Sequence, residues 1–477
     1  MILRVLGFLL LIESAMLLVT AGVSYYYGGD DLQSFLLTAG VTVTIGTLLS
    51  ITTYKADKHL SRRDGYLIVS LSWIILSAFG MIPYYHSGYI PTITDAFFES
   101  ISGFSSTGST ILDNIESFPH GLLFWRSMTQ WIGGLGIIFF TIAILPLLGV
   151  SGVQLFAAES SNPTHDKVYP RISITAKWIW AIYTSITLLE TILLYFGGMN
   201  LFDSICHSLT TTGTGGFSTK QASIAYYQSP YIEYVISFFM ILSGINFTLL
   251  LLFITGKFKK IVNNSELKYY LGSILILTLI VTIGLNFTTE NGLEASFRKA
   301  IFQIGSLHTS TGFATDNFME WKPFLWGLLF IPMIVGGCAG STSGGFKCIR
   351  IVILSKITKN EFKRIVHPNA VIREKINKQS IPNSVQTTVL AFSFIYIIVL
   401  IANTLLFMAF GLDFLESFSV VLSSISNMGP GFGAFGPEFS WSALPQVAKW
   451  ISSFLMLIGR LELFTILLLF TPSFWRG

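Results

Sequence analysis

Four short stretches decide the fold of this chain, and they read F-F-E-S-I-S-G-F-S-S-T-G (97–108), F-D-S-I-C-H-S-L-T-T-T-G (202–213), I-F-Q-I-G-S-L-H-T-S-T-G (301–312) and F-S-V-V-L-S-S-I-S-N-M-G (418–429). Each begins with Phe or Ile, and small or hydroxyl-bearing residues cluster before its final glycine. These glycines recur at intervals of about 100 to 120 residues, a period that indicates internal repeats. The same structural unit is therefore expected four times.

The composition indicates that lipid rather than water surrounds most of the chain. Of the 477 residues, 52% are hydrophobic and only 11% are charged, whereas about a quarter of the residues in a soluble domain are charged. So few charges cannot cover a water-facing surface. The net charge of +4 does not indicate a nucleic-acid binder, because the basic residues fall between apolar segments rather than on one face.

Ten apolar segments are long enough to cross about 30 Å of hydrocarbon. The 323–355 segment is too long for one plain helix and is expected to be broken in its middle. The first segment has no convincing cleavage site and a second one follows closely, so it is expected to be a retained helix rather than a signal peptide. The ten segments lie near 5–27, 34–54, 66–85, 122–150, 172–198, 229–256, 269–288, 323–355, 385–410 and 445–472.

Lysine and arginine are concentrated in alternate connections, which predicts the orientation of the chain. The basic connections contain Lys55–Arg63, Lys167–Lys177, Lys257–Lys268 and Lys347–Lys378. The positive-inside rule places this set, and both termini, in the cytoplasm. The 347–378 stretch is the longest cytoplasmic connection and could dock a soluble partner or anionic lipid head groups. A plain solvated loop is an open alternative.

Each of the four stretches lies on the non-cytoplasmic side between two apolar segments. This arrangement predicts an all-α polytopic membrane protein built from four M1–pore-loop–M2 repeats, with pseudo-fourfold symmetry around a central pore. Ordinary polar outer loops are the alternative, and four copies in the same context disfavour it. The predicted units are a two-helix N-terminal extension at 1–60 and pore repeats at 61–165, 166–265, 266–378 (with an intramembrane loop) and 379–477.

The residues that end each stretch suit a filter for a bare cation. Such an ion must exchange its water for other oxygens, and rings of backbone carbonyls supply them in potassium filters. Glycine readily adopts the backbone conformations that turn carbonyls inward. The three-residue filter segments contain no Asp or Glu, which argues against a carboxylate ring. The predicted filter residues are Ser106, Thr107, Gly108, Thr211, Thr212, Gly213, Ser310, Thr311, Gly312, Asn427, Met428 and Gly429.

With two leading helices before four such repeats, the chain resembles the Trk/Ktr/HKT superfamily of potassium transporters over nearly its whole length. The two-helix extension favours the TrkH branch. In that superfamily, glycine in all four loops goes with potassium preference, and serine in the first loop goes with sodium. This chain has glycine at all four aligned positions, but its fourth loop, S-N-M-G-P-G-F-G, departs from the Thr-Thr-Gly pattern.

The resemblance implies potassium uptake across the cell inner membrane, with K⁺ as the transported ion. It also implies a homodimer that assembles with a cytoplasmic nucleotide-binding regulatory ring of the TrkA kind. Neither an organic cofactor nor a nucleic-acid partner is expected. Channel-like conduction and sodium- or proton-coupled symport both remain open.

A membrane enzyme is a distant alternative that the sequence disfavours. Such an enzyme would need His, Asp or Glu clustered at one membrane face, and no such constellation occurs. The three cysteines, Cys206, Cys338 and Cys348, fit neither a zinc site nor a disulfide framework. They are expected to be small buried residues.

The middle of the 323–355 segment, G-G-C-A-G-S-T-S-G-G (336–345), is rich in glycine and hydroxyl residues. It cannot continue a stable helix, so it is expected to line the pore as an internal loop. By resemblance it matches the intramembrane gating loop beneath the filter. A helix-packing surface of small residues is the alternative. The predicted gate residues are Gly336, Gly337, Gly340, Ser341, Thr342, Ser343, Gly344, Gly345, Lys347 and Arg460.

Arg460 lies near the centre of the last apolar segment. A charge at that depth is costly and usually functional. By resemblance it matches a pore-facing arginine beneath the filter. An ion pair with Glu462, or with Glu190 in another span, is the alternative. Residues two apart on a helix face different directions, which disfavours the pair with Glu462.

Overall fold

The computed structural model describes residues 1–55, 61–136, 172–290, 292–370, 374–377 and 379–475. In these ranges the regular structure is helical except for one antiparallel pair of two-residue strands, Lys375–Ile376 and Gln379–Ser380. Six of the described helices are long and apolar enough to cross a membrane, and two bent helix pairs raise that number to eight. The predicted all-α polytopic fold is confirmed.

The first two helices, Ile2–Tyr26 and Leu32–Thr52, form a hairpin that precedes the repeats. They approach closely where Gly7 faces Gly46, because a side chain on either glycine would lie 2.9 Å from the carbonyl oxygen of the other. Small residues permit such close packing between helices in lipid. At the tip of the hairpin, the Asp31 carboxylate accepts a hydrogen bond from the backbone N–H of Leu122 (2.8 Å) and so ties the extension to the first repeat.

Each repeat begins with an outer helix of 19 to 27 residues, which is about the length that the hydrocarbon requires. Large apolar side chains point away from the protein, as Phe394 (67% exposed) and Leu405 (61% exposed) illustrate. Such a surface is favourable against lipid and unfavourable in water. The outer helices are Arg62–Gly80, Ile172–Phe196, Ser265–Thr288 and Asn383–Ala409.

A pore helix of 12 to 16 residues follows each outer helix. At 1.5 Å per residue it extends only about 18 to 24 Å, too short to span the membrane. The side chains of Thr92 and Asn200 cap the first two pore helices by accepting hydrogen bonds from the backbone N–H groups of Asp95 (3.1 Å) and Asp203 (2.7 Å). The pore helices are Ile93–Phe104, Leu201–Thr212, Leu293–His308 and Phe414–Ser426.

The inner helices of the second and fourth repeats are sharply bent. The bends are 99° between Pro230–Ser243 and Phe247–Ile254, and 113° between Gln446–Leu461 and Leu463–Phe470. The first bend has a local cause, because the Asn246 side chain accepts from the backbone N–H of Thr248 and starts a new helix (2.8 Å). The sequence predicts a break only within 323–355, so these two bends correct the prediction of plain spans at 229–256 and 445–472.

The inner helix of the third repeat is interrupted as predicted. Its halves, Pro323–Val335 and Cys348–Val366, are separated by the non-helical residues 336–347. The first inner helix runs from His120 to Gly134, and residues 137–150 of the predicted 122–150 segment lie outside the described residues.

The fourth repeat packs against the first. Lys449 forms an ion pair with Asp95 (2.6 Å), and the backbone N–H of Trp441 donates to the carbonyl of Thr110 (2.7 Å).

The three cysteines are buried and free. The predicted residue boundaries of the repeats stay predictions. Short helical segments occupy the connections between the longer helices at Ile82–His86, Ile115–Ser117, Ser223–Tyr227, Phe258–Val262, Phe318–Glu320 and Gly433–Phe435, and one more, Pro472–Trp475, follows the last inner helix.

Candidate functional site

The four loops that follow the pore helices share one backbone conformation. In each loop, a residue with positive φ stands two positions before a glycine that also has positive φ. The residue between them donates its N–H to the carbonyl five positions earlier in all four loops (2.9–3.0 Å). The loops are therefore structurally equivalent. The pairs are Ser106 and Gly108 (φ 53° and 86°), Thr214 and Gly216 (51° and 75°), Ser310 and Gly312 (55° and 85°), and Asn427 and Gly429 (51° and 99°).

The four loops form a closed ring, which we call the filter ring. A side-chain carbon on any of the first three glycines would overlap the backbone carbonyl oxygen of the next loop, and one on the fourth would lie 3.0 Å from that of the first loop. Because each of these glycines also has positive φ, a larger residue would be strained as well as crowded. The contacts are Gly108 with Gly215, Gly216 with Thr311, Gly312 with Met428, and Gly429 with Thr107.

The second loop differs from the prediction by three residues. Thr211 and Thr212 lie in the last turn of the pore helix, and Gly213 ends that helix with ordinary helical angles (φ −70°, ψ −10°). The alignment on Gly213 is therefore wrong, and this loop contributes a later set of residues to the filter ring. That set is Thr214, Gly215 and Gly216.

A sequence signal for the correct register does exist. The second loop reads G-F-S-T from Gly216 and the third reads G-F-A-T from Gly312. Aligning these two G-F-x-T runs gives the register seen in the structure. The T-T-T-G run that ends at Gly213 resembles S-T-G of the other loops more closely and obscures that signal.

Gln130, on the first inner helix, is a further residue of the site that the sequence does not reveal. Its side-chain Nε2 donates to the carbonyl of Gly215 (2.8 Å), and its Oε1 accepts from the N–H of Phe217 (3.0 Å). One amide therefore holds the backbone on both sides of Gly216. Nothing in the sequence places a residue of the first repeat against the loop of the second.

A cavity of about 60 Å³ lies at the filter ring, and all four ring glycines line it. Since these glycines come from four different repeats, their convergence marks the axis of the ring. Arg126 lines the same cavity and forms a buried ion pair with Glu99 (2.8 Å). Glu99 also accepts from the N–H of Ile111 (3.1 Å), and Arg126 donates to the carbonyl of Ser218 (3.1 Å). The pair therefore joins the segments that follow the first two filter loops.

Residues 336–347 form an ordered loop that contacts the filter ring, and we call it the intramembrane loop. The N–H of Gly344 donates to Oγ of Ser310 in the third filter loop (2.6 Å), and the N–H of Ala339 donates to the Glu266 carboxylate (2.6 Å). These residues are not helical, so they do not form the alternative helix-packing surface. Backbone hydrogen bonds from Cys338 to Gly244 and from Phe247 to Gly340 join the loop to the second inner helix.

Arg460, near the end of the fourth inner helix, connects the intramembrane loop to the first repeat. Its guanidinium donates to the carbonyl of Thr342 (2.7 Å), to that of Gly134 (2.7 Å) and to that of Gly133. The guanidinium carbon also lies 5.7 Å from the centre of the Trp73 ring. These contacts place a cationic group between the third, fourth and first repeats.

The acidic residues considered as partners of Arg460 have other surroundings. Glu462 forms an ion pair with Arg350, in the second half of the third inner helix. Glu190 is fully buried, and neither of its carboxylate oxygens has a hydrogen-bond partner among the described residues.

Glu462 and Lys347 both have positive φ (61° and 74°). Such conformations are costly for residues other than glycine and cluster at functional sites.

The oxygens gathered at the filter ring are backbone carbonyls and hydroxyls. Within the described ranges, no group of three or more His, Cys, Asp or Glu side chains could hold a metal ion. A ring of uncharged oxygens suits a weakly hydrated monovalent cation that must bind and then leave.

Comparisons with known proteins identify the family of this chain. A family model described as the cation transport protein TrkH matches residues 31–294 and 275–476. The chain belongs to this family. It is 41% identical to the Trk system potassium uptake protein TrkH of Escherichia coli (strain K12), over 99% of this chain and 98% of that protein. It is 37% identical to the protein of the same name from Halomonas elongata, over 100% of this chain and 99% of that protein.

The fold of this TrkH-family chain also matches a solved relative. The crystal structure of the potassium transporter TrkH from Vibrio parahaemolyticus superposes with a TM-score of 0.88 at 36% identity, covering 100% of this chain and 99% of that one. The predicted resemblance is confirmed, and the chain is a multi-span membrane transporter rather than an enzyme.

We expect Arg126→Ala to destabilise this TrkH-family chain by about 3–5 kcal/mol, because it leaves the carboxylate of Glu99 buried without its positively charged partner. The side chains of the pair are only 1% and 0% exposed. Thermal unfolding in detergent, followed by intrinsic fluorescence, measures the loss. Lys220→Ala is the matched control, since Lys220 is 20% exposed and lies 3.8 Å from Asp203. The control should cost less than about 1 kcal/mol, and an equally small loss for Arg126→Ala would contradict the prediction.

Proposed function

We propose that this chain carries potassium ions into the cell through the axis of the filter ring. The observation that carries the proposal is the closure of that ring, in which each glycine packs against the carbonyl of the next loop. Four inward carbonyls can replace the water shell of a potassium ion. The relatives in Escherichia coli and Vibrio parahaemolyticus are named as potassium transporters, which supports potassium as the substrate.

The ion ligands in this proposal are backbone oxygens of the four filter loops. Each loop ends a pore helix, and the negative C-terminal ends of the four helices favour a cation between them. Relative to the sequence prediction, only the second loop changes its residues. The proposed potassium-binding residues are Ser106, Thr107, Gly108, Thr214, Gly215, Gly216, Ser310, Thr311, Gly312, Asn427, Met428 and Gly429.

The proposed gate consists of the intramembrane loop and Arg460. The loop contacts the filter ring at Ser310, and Arg460 holds the loop through the carbonyl of Thr342. With both contacts formed, the loop and the guanidinium obstruct the path of an ion that has passed the filter. Opening then requires the loop to leave the carbonyls and hydroxyls that hold it.

A cytoplasmic nucleotide-binding subunit, of the TrkA kind, is the proposed regulator of this gate. The third inner helix continues from the intramembrane loop into Cys348–Val366, which has the basic residues Lys363 and Arg364 in its last turn. A regulatory subunit that binds this end and moves the helix would therefore pull directly on the intramembrane loop. The proposal includes a homodimer in the cell inner membrane, with both termini in the cytoplasm. The alternation of basic connections supports this orientation.

Potassium flux into liposomes that contain the purified chain tests the proposed function. We expect potassium to be conducted in preference to sodium and lithium. Equal permeability to the three ions would refute the selectivity of the filter ring. A current that reverses at the potassium equilibrium potential identifies a channel, whereas a reversal that moves with the sodium or proton gradient identifies coupled transport.

Proton-coupled symport is a second candidate that one observation favours. Glu13 in the first helix and Glu190 in the second outer helix are buried, and their carboxylate oxygens have no hydrogen-bond partner among the described residues. Ionisable side chains buried within membrane spans are rare, and in pumps and transporters they often form proton relays. Glu13→Gln and Glu190→Gln should abolish any dependence of potassium flux on the proton gradient if either group couples the two ions.

Gly108→Ser is expected to weaken the preference for potassium. Gly108 has φ 86°, and a side chain there would overlap the carbonyl oxygen of Gly215, so the ring must widen or distort. Left-handed backbone alone costs about 1–2 kcal/mol for other residues, which corresponds to a fall in the potassium-to-sodium permeability ratio of about tenfold. Gly272→Ser is the control, because no atom lies within 4 Å of the added carbon. An unchanged ratio in Gly108→Ser would contradict the prediction.

A further inference from the structure

The residue with positive φ in each filter loop makes a different contact with the structure around it. The Ser106 hydroxyl donates to the carbonyl of Gln130 in the first inner helix (3.3 Å), and the Asn427 amide donates to that of Met456 in the fourth (2.8 Å). The Thr214 hydroxyl bonds within its own loop. The Ser310 hydroxyl accepts from the intramembrane loop instead. The four structurally equivalent residues therefore bond to different parts of the protein, and in this set only the Ser310 hydroxyl bonds to the intramembrane loop.

Two filter loops contact the intramembrane loop at Gly344. The N–H of Gly344 reaches Oγ of Ser310 at 2.6 Å. A side-chain carbon on Gly344 would overlap the carbonyl oxygen of Ser426 and lie 2.9 Å from Cβ of Asn427. The loop backbone therefore packs against the third and fourth filter loops with no space between them.

The neighbouring Thr342 anchors the same segment on its other side. Its carbonyl accepts from Arg460 (2.7 Å), and its hydroxyl donates to the carbonyl of Ser243 (3.3 Å). Thr342 is 2% exposed and Ser310 is fully buried. Because water is excluded there, an N–H that leaves its acceptor has no ready replacement.

We infer that Ser310 is a positioning residue that holds the intramembrane loop in its closed place, so that the filter itself helps to determine when the gate opens. This inference rests on the proposed function and adds a coupling residue to it. The Thr311 carbonyl next to Ser310 belongs to the filter ring. Movement of the intramembrane loop therefore changes the geometry of the filter ring, and an ion bound in the ring changes how often the loop opens. By linkage, the two effects are reciprocal.

Hydrogen–deuterium exchange of the full chain in lipid nanodiscs tests this inference without any transport measurement. In Ser310→Ala, amides of 336–347 should exchange about tenfold faster than in the wild type, since the loop opens more often. Peptides from Ile172–Phe196 serve as the internal reference for global destabilisation. Ser208→Ala is the matched control, because its buried hydroxyl donates to the carbonyl of Ser204 within the second pore helix (2.7 Å) and Ser208 is not one of the proposed potassium-binding residues. It should leave exchange in 336–347 unchanged.

Ser310→Thr provides a rescue, because it retains the acceptor oxygen. A threonine is tolerated in this backbone conformation, as Thr214 shows with φ 51°. We expect its loop exchange to return toward the wild-type rate. Unchanged exchange in Ser310→Ala, or an equal increase in Ser208→Ala, would overturn the inference. Absence of potassium flux through the wild-type chain would reject the proposed function alone, because the exchange result does not depend on transport.

Discussion

Replacing Gly216 with serine is expected to abolish potassium-selective flux. Gly216 has φ 75°, and a side chain on it would overlap the carbonyl oxygen of Thr311 in the third loop. The adjacent Gly215 offers no space for a compensating shift, because it packs directly against the side chain of Gln130. Strain and overlap together should exceed about 2 kcal/mol, equivalent to a reduction in flux of more than about thirtyfold. Potassium flux and the potassium-to-sodium ratio in liposomes measure the effect.

Thr212→Ala is the control that distinguishes the observed register of the second loop from the one that the sequence predicts. The Thr212 hydroxyl donates to the carbonyl of Ser208 inside the pore helix (2.8 Å), and it is not part of the filter ring. We therefore expect the ion preference of Thr212→Ala to match the wild type. A loss of preference in this variant, with selective flux retained in Gly216→Ser, would show that the filter ring is not the selective element.

The fold was predictable because its signals are long-range patterns of composition. Apolar segments of about 20 residues and an alternation of basic connections indicate spans and their order, whatever the details of packing. The break within 323–355 was equally visible, since five glycines in ten positions oppose a helix. The bends at Asn246 and Glu462 were not visible. One is made by a single side-chain cap and the other by a single left-handed residue, and neither changes the hydrophobic pattern.

The register of the second filter loop was mispredicted for a different reason, although the G-F-x-T runs that the second and third loops share indicate it. A pore helix can extend by one turn without any change in its apolar character, and this one ends at Thr212 rather than three residues earlier. Which glycine enters the ring then depends on the partner carbonyl, supplied by Thr311 from another repeat. Pairs such as Arg126 with Glu99 are equally non-local, because they join residues 27 positions apart in sequence. Three-dimensional contacts of this kind leave no local motif.

Arg460→Ala is expected to give a chain that conducts potassium without its regulator. A potassium ion about 6 Å from the guanidinium meets about 3 kcal/mol of repulsion at an effective dielectric constant near 20. Removing that charge should raise potassium flux through the chain alone by about a hundredfold. The same substitution also frees the carbonyls of Thr342 and Gly134, so the intramembrane loop loses one of its anchors. Flux into liposomes that contain no other protein measures the change.

Arg460→Lys separates the two contributions. A lysine retains the positive charge, but its single ammonium group cannot reproduce the planar fork that reaches carbonyls on two repeats. If repulsion is the main barrier, Arg460→Lys should conduct about as slowly as the wild type. If the anchoring of Thr342 is the main barrier, it should conduct nearly as fast as Arg460→Ala. Flux in Arg460→Ala that stays at the wild-type level would remove Arg460 from the gate, and the closed state would then depend on the contact of Gly344 with Ser310.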